Sequence, residues 1–76
     1  MANFVIFTNM DGNHFATRVS DVQSVIQRPK VMRANGAMQT LCPVSRLVYR
    51  PSEAYSEDYV DVFGSVEDIV HQIGSN

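Results

Sequence analysis

The chain has no tryptophan, a single cysteine and only four glycines and three prolines among its 76 residues. A lone Cys42 closes no internal disulfide, so no oxidising compartment is required. No apolar run approaches the roughly 18 residues that a membrane-spanning helix needs. The opening Met1-Ala2-Asn3 lacks the basic stretch of a secretion signal. The expectation is therefore an unprocessed, soluble, cytoplasmic protein. Two histidines, His14 and His71, are too few and too far apart for a metal set. Glu67 and Asp68 stand at helical spacing from His71, a pairing common on exposed helix faces, so no metal site is expected. Cys42 has no neighbouring His or Lys to make its thiolate and reads as a small apolar residue. Asp11-Gly12-Asn13 lacks the second glycine and the following helix of a phosphate loop, and Ser45 sits in no nucleophile elbow. These absences point away from an enzyme, and no cofactor is expected.

At 8.5 kDa the chain makes one domain over residues 1–76. Scaling laws put about 7,500 Å² out of reach of water on folding, some 4,500 Å² of it apolar. At about 25 cal/mol/Å² that burial gains roughly 110 kcal/mol, against about 1.5 kcal/mol lost per ordered residue. The two sums nearly cancel, so a monomer is marginal and self-association helps.

What is present is mainly strand. Residues 3–8 are aromatic and β-branched, with Phe4 and Ile6 on one face and Val5 and Phe7 on the other. Apolar on both sides, this strand belongs between layers or at a subunit interface. Asp11-Gly12 turns the chain, and residues 14–19 return with Phe15, Thr17 and Val19 on one side. Ser20-Asp21 marks a bulge or corner. Residues 22–28 resume a strand that Pro29 ends or confines to an edge. Asn35-Gly36 signals a two-residue hairpin between residues 31–33 and 37–41. Pro43 interrupts before a short strand at 47–50, and residues 51–58 form an exposed loop. Residues 59–63 alternate, Val60 and Val62 against Tyr59, Asp61 and Phe63. Val66, Ile69, Val70 and Ile73 then fall on one helical stripe, with Ser65 as the cap, Glu67 and Asp68 in the first turn and Gly74 as the stop. The expected fold is α+β: a small, strongly twisted antiparallel sheet of four to six strands with one C-terminal helix packed on one face.

Charge is unevenly placed. All six cations lie between residues 18 and 50, where Asp21 is the sole acid, and six acids with no cation follow from residue 51 onward. Five of the six cations are arginine, suited to bidentate contacts with phosphate and carboxylate. One reading pairs the basic and acidic segments within or between chains. The other makes Arg28, Lys30, Arg33, Arg46 and Arg50 a binding surface for an anion, with Tyr49 and Tyr55 as stacking or anchoring groups. Tyr49 and Tyr59 also fit a cross-strand pair that merely covers the sheet. Duplex nucleic acid is disfavoured as a partner, because the net charge is −2.

The succession of a strand, Asp11-Gly12, Arg18-Val19 with Val22 and Val25, and finally Ser65-Val66-Glu67-Asp68-Ile69-Val70 resembles the short FlbD-like proteins of flagellar operons, over residues 4–26 and 59–73. The resemblance implies a strand-turn-strand, a hairpin and a terminal helix. Residues 27–58 add a basic hairpin, Cys42-Pro43 and an acidic loop that the family lacks. The size and the decorated hairpin also look like small bacteriophage accessory proteins, which occupy a host protein's surface or sequester a signalling nucleotide. The expectation that follows is a non-catalytic, homo-oligomeric binder, acting in the host cell if phage-encoded. It would engage a small anionic ligand such as a nucleotide, or an acidic host protein, in the manner of phage inhibitors or sponges of host defence. The alternative is an accessory or scaffold protein of a flagellar or other operon.

Overall fold

The computed structural model describes residues 3–51 and 58–74, with Asn35 by its backbone alone. Strand β1 (Phe4–Thr8) pairs antiparallel with β2 (His14–Arg18). The turn between them is organised by Asn9, whose Oδ1 accepts the backbone N–H groups of Asp11 and Asn13 at 3.0 Å each. Gly12 takes φ +86°, which a side chain would oppose. A 3₁₀ turn at Val19–Asp21 makes the corner. Long strands β3 (Val22–Asn35) and β4 (Met38–Tyr49) form a hairpin, and β5 (Tyr59–Phe63) pairs on the far side of β4. Helix α1 (Val66–Gly74) is the last of the described elements, with Ser65 Oγ accepting the Asp68 N–H at 3.1 Å as an N-cap.

The α+β character, the antiparallel pairing and the terminal helix agree with the sequence. The five strands divide, however, into a two-stranded sheet and a three-stranded sheet of order β3-β4-β5, where a single sheet was expected. A lone bridge between Asn9 and Val62 joins them.

Pro43 misleads the reading of the hairpin, and Pro29 takes the second of its two readings, a place on an edge strand. Pro29 does not end β3, and Pro43 does not interrupt β4. The register steps from Arg28–Val44 to Val31–Cys42, so Pro29 and Lys30 stand together opposite Pro43. Both missing N–H groups therefore fall at one bulge, where the ladder asks for fewer donors. Because β3 is an edge strand, Pro29 is tolerated, while the Pro43 carbonyl still accepts Gly64 N–H at 2.9 Å. The turn is also displaced by one residue from the Asn35-Gly36 expectation. Asn35 pairs with Met38, which leaves Gly36-Ala37 as the loop, Gly36 supplying φ +65°.

The core is Val5, Phe7, Leu47, Val62 and Ile69, with Phe15, Val19, Val25, Val60 and Ile73 packed against it. Leu47 and Val62 share the inner face of the three-stranded sheet with their register partners Val60 and Ser45. Ser45 is fully buried, and its hydroxyl donates to the Gly64 carbonyl at 2.8 Å, pinning the β5–α1 joint. At that joint Gly64 has φ +133°, and a Cβ there would lie 3.4 Å from Ile69. The outward sides are partly open. Phe4 and Ile6 are more than half exposed in the single chain, and Val70 drops out of the buried helical stripe.

Tyr49 is buried with Thr17, and their hydroxyls share a 2.7 Å hydrogen bond that ties β4 to β2. Burial pushes the Tyr49 phenol above its usual range, and the charge of Asp21 adds to this against the Thr17 bond. Tyr49→Phe should strand the buried Thr17 hydroxyl and destabilise the fold by about 1–3 kcal/mol, whereas adding Thr17→Val should recover much of that loss. Urea unfolding of the single and double variants measures both.

Candidate functional site

The hairpin bulge brings two of the predicted cations to one place. Arg28 and Lys30, with Val25, Gln27, Pro43 and Val44, form one wall of a cleft of about 530 Å³. Ser65, Val66 and Glu67 at the start of α1 form the other. Arg28 is half-buried and Lys30 exposed, and neither forms an ion pair with a described carboxylate. The cleft therefore holds two cations with no ion pair among the described residues, together with the Glu67 carboxylate of the helix's first turn, and its Arg28–Lys30 side favours an anion. Glu67 and Gln27 add acceptors for hydroxyl or amide donors.

The remaining predicted residues go elsewhere. Arg46 is committed to Asp61, its register partner on β5: Nε lies 2.8 Å from Oδ1 and the second nitrogen 3.2 Å from Oδ2, a bidentate pair. Its guanidinium also lies 4.1 Å from the Tyr59 ring centroid. Arg33, further along the hairpin, stacks over Phe63 at 4.4 Å. Arg50 follows β4, exposed, with its backbone N–H held by Asp21 O at 2.8 Å. Tyr49, expected as a contact group, is instead a core residue, because its ring fills the space under β2 and its hydroxyl has a partner there. Nor is it a cross-strand partner of Tyr59, which pairs with Val48 and lies on the opposite face. Tyr55 lies outside the described residues. Cys42 is half-buried rather than buried, its thiol donating to Thr40 O at 3.7 Å.

Sequence reasoning missed Gln27, Ser65 and Glu67 as companions of Arg28 and Lys30, since nothing local announces that α1 begins beside the bulge. It also missed the pairing of Arg46 with Asp61 and the ring platforms Tyr59 and Phe63. That signal was available: the alternation in β5 places Tyr59, Asp61 and Phe63 on one face.

Among the described residues, no group of three or more His, Cys, Asp or Glu could hold a metal ion, and no helix is long and apolar enough to cross a membrane. Comparison of the chain with protein-family models, with curated proteins and with solved structures gives no significant match.

The Arg46 hydrogen bonds hold the Asp61 carboxyl below the ordinary aspartate range against the opposing effect of burial, which comes next in size, and the charges of Arg46 and Arg28 add to the lowering. The folded-state value is thus lower than the unfolded one. The pair stabilises the fold above the ordinary aspartate value of about 4, and this contribution is lost as pH falls through the lowered value. In a carboxyl NMR titration Asp61 should titrate below the ordinary range, and Arg46→Met should return it toward that range.

Proposed function

We propose that this chain is a small non-catalytic binding protein that takes an anionic ligand, a nucleotide being the best fit, in the cleft between the hairpin bulge and the start of α1. One observation carries the reading: Arg28 and Lys30, the two cations at that bulge, have no ion-pair partner among the described residues and line a single cleft with the first turn of a helix. In it they neutralise phosphate, while Glu67 and Gln27 accept from hydroxyl or amino groups of the rest of the ligand. The five strands act as one strongly twisted sheet bent at the Asn9–Val62 bridge, with α1 packed on one face; Ser65 comes near Arg28 because Arg28, Val44 and Phe63 are successive register partners across β3, β4 and β5. Self-association belongs to the same reading, as does a place inside the cell, the host cell if the chain is phage-encoded. The same cations would equally seat the acidic side chains of a host protein, in the manner of an inhibitor. The role of an operon accessory protein similar to the FlbD-like family is the second reading, favoured by the exposed Phe4 and Ile6 on β1.

A thermal-melting series separates these. Adenosine monophosphate near a hundred times its dissociation constant should stabilise the fold by about 2.7 kcal/mol, a rise of several degrees. Arg28→Glu with Lys30→Glu should abolish that rise and leave the ligand-free melt near its original place. An acidic protein partner would instead appear in a pull-down that weakens with salt and with the same two substitutions. Retention of biological function by the double variant would overturn the binder reading in favour of the scaffold.

A further inference from the structure

The two faces of the three-stranded sheet differ. Among the described residues, the elements that pack on the sheet meet the side that carries Leu47 and Val62. On the other side Ile26 and Tyr59 are each 48% exposed. Register and alternation assign that side row by row: Ile26 with Arg46 and Asp61, and Arg28 with Val44 and Phe63. Strand β5 sets two aromatic rings there, Tyr59 and Phe63, four residues apart and so about 13 Å along the strand. Each ring has its own guanidinium. Arg46 lies 4.1 Å from the Tyr59 centroid, and Arg33 reaches from beyond the bulge to 4.4 Å from that of Phe63. A guanidinium held over a ring still keeps N–H donors for a phosphate.

We propose that this face binds single-stranded nucleic acid, with bases stacked at Tyr59 and Phe63 and phosphates held by Arg28 and Arg33. Charge and rings together select that occupant. The whole chain carries −2, yet the strands bring three arginines to this face against one acid, Asp61. Asp61 is already matched by its bidentate bond with Arg46. Arg28 and Arg33 are the excess, and neither forms an ion pair among the described residues. A polyanion fits that excess. The rings decide which polyanion. In a duplex the bases stack on each other and are closed to a protein ring, whereas those of a single strand are free to stack on an aromatic side chain or a guanidinium plane. An acidic peptide would satisfy the arginines and give Tyr59 and Phe63 nothing planar to hold. The inference goes beyond the anion cleft, which Tyr59, Phe63 and Arg33 do not line.

Fluorescence anisotropy of a short labelled oligothymidylate tests this, with a duplex of the same length and polyglutamate as competitors. The full chain should bind the oligothymidylate at low salt, and neither competitor should displace it at equal charge. Tyr59→Leu and Phe63→Leu keep apolar bulk and remove the ring. Each should raise the dissociation constant at least about fivefold, while Tyr59→Phe should leave it near the wild-type value. Tyr59 is exposed, so its variants should keep the cooperative melt and carry the test even if Phe63→Leu unfolds. Arg33→Gln should lower the slope of log affinity against log salt by about 0.7, the share of one phosphate contact on a single strand. A chain that does not bind the oligothymidylate overturns the proposal. So do Tyr59→Leu binding as tightly as wild type, a duplex that competes as well as the single strand, or displacement by polyglutamate, which would make the face a seat for an acidic protein. The melting shift with adenosine monophosphate should persist in Tyr59→Leu and Arg33→Gln, so it reports the anion cleft separately from this face.

Discussion

Burial of one face of β4 governs the rest of the structure. Ser45, Leu47 and Tyr49 alternate along that strand, all shielded from water, and each secures a different part of the chain. Leu47 is the floor on which Val5, Phe7, Val62 and Ile69 gather. Ser45 fixes the Gly64 carbonyl and with it the point where α1 begins. Tyr49 reaches Thr17 and holds the two-stranded sheet to the three-stranded one. In so small a core every contact serves two elements, and little remains to compensate for the loss of one.

The opposite side of the three-stranded sheet has a different economy. Arg46, Asp61 and Tyr59 satisfy one another there, and Arg33 rests on Phe63. Pairing of the basic hairpin with the acidic final segment is thus real at one position. Among the described residues it is incomplete, and what it leaves over is informative: Arg28 and Lys30, on the edge strand at the bulge, form no ion pair there. A binding reading rests on these residual cations rather than on the charge of the segment as a whole.

Elements whose identity depends on local pattern were legible in the sequence. The apolar run of β1, the alternation of β5, and the cap, acidic first turn and stripe of α1 each state their own structure. The hairpin was misread because its prolines were judged one at a time. Pro29 and Pro43 each argue against a strand, but opposite each other at a bulge they cancel, and only the register reveals that. The tyrosines show a related limit. Tyr49 and Tyr59 occur in similar apolar surroundings, and which of them is buried depends on the long-range partner Thr17, 32 positions away. The cleft was half legible, since the cations could be named but not the helix that faces them.

The paired prolines also divide the hairpin into two regions with different constraints. Below them β4 is held in register by β3 on one side and β5 on the other. Above them the strands pair only with each other. Residues can be added or removed there in cross-strand pairs without moving Ser45, Leu47 or Tyr49, because each pair preserves the inward and outward alternation beneath it. The reach of the hairpin beyond the prolines can therefore be altered separately from the core, with the Arg33–Phe63 contact as its tie to the body.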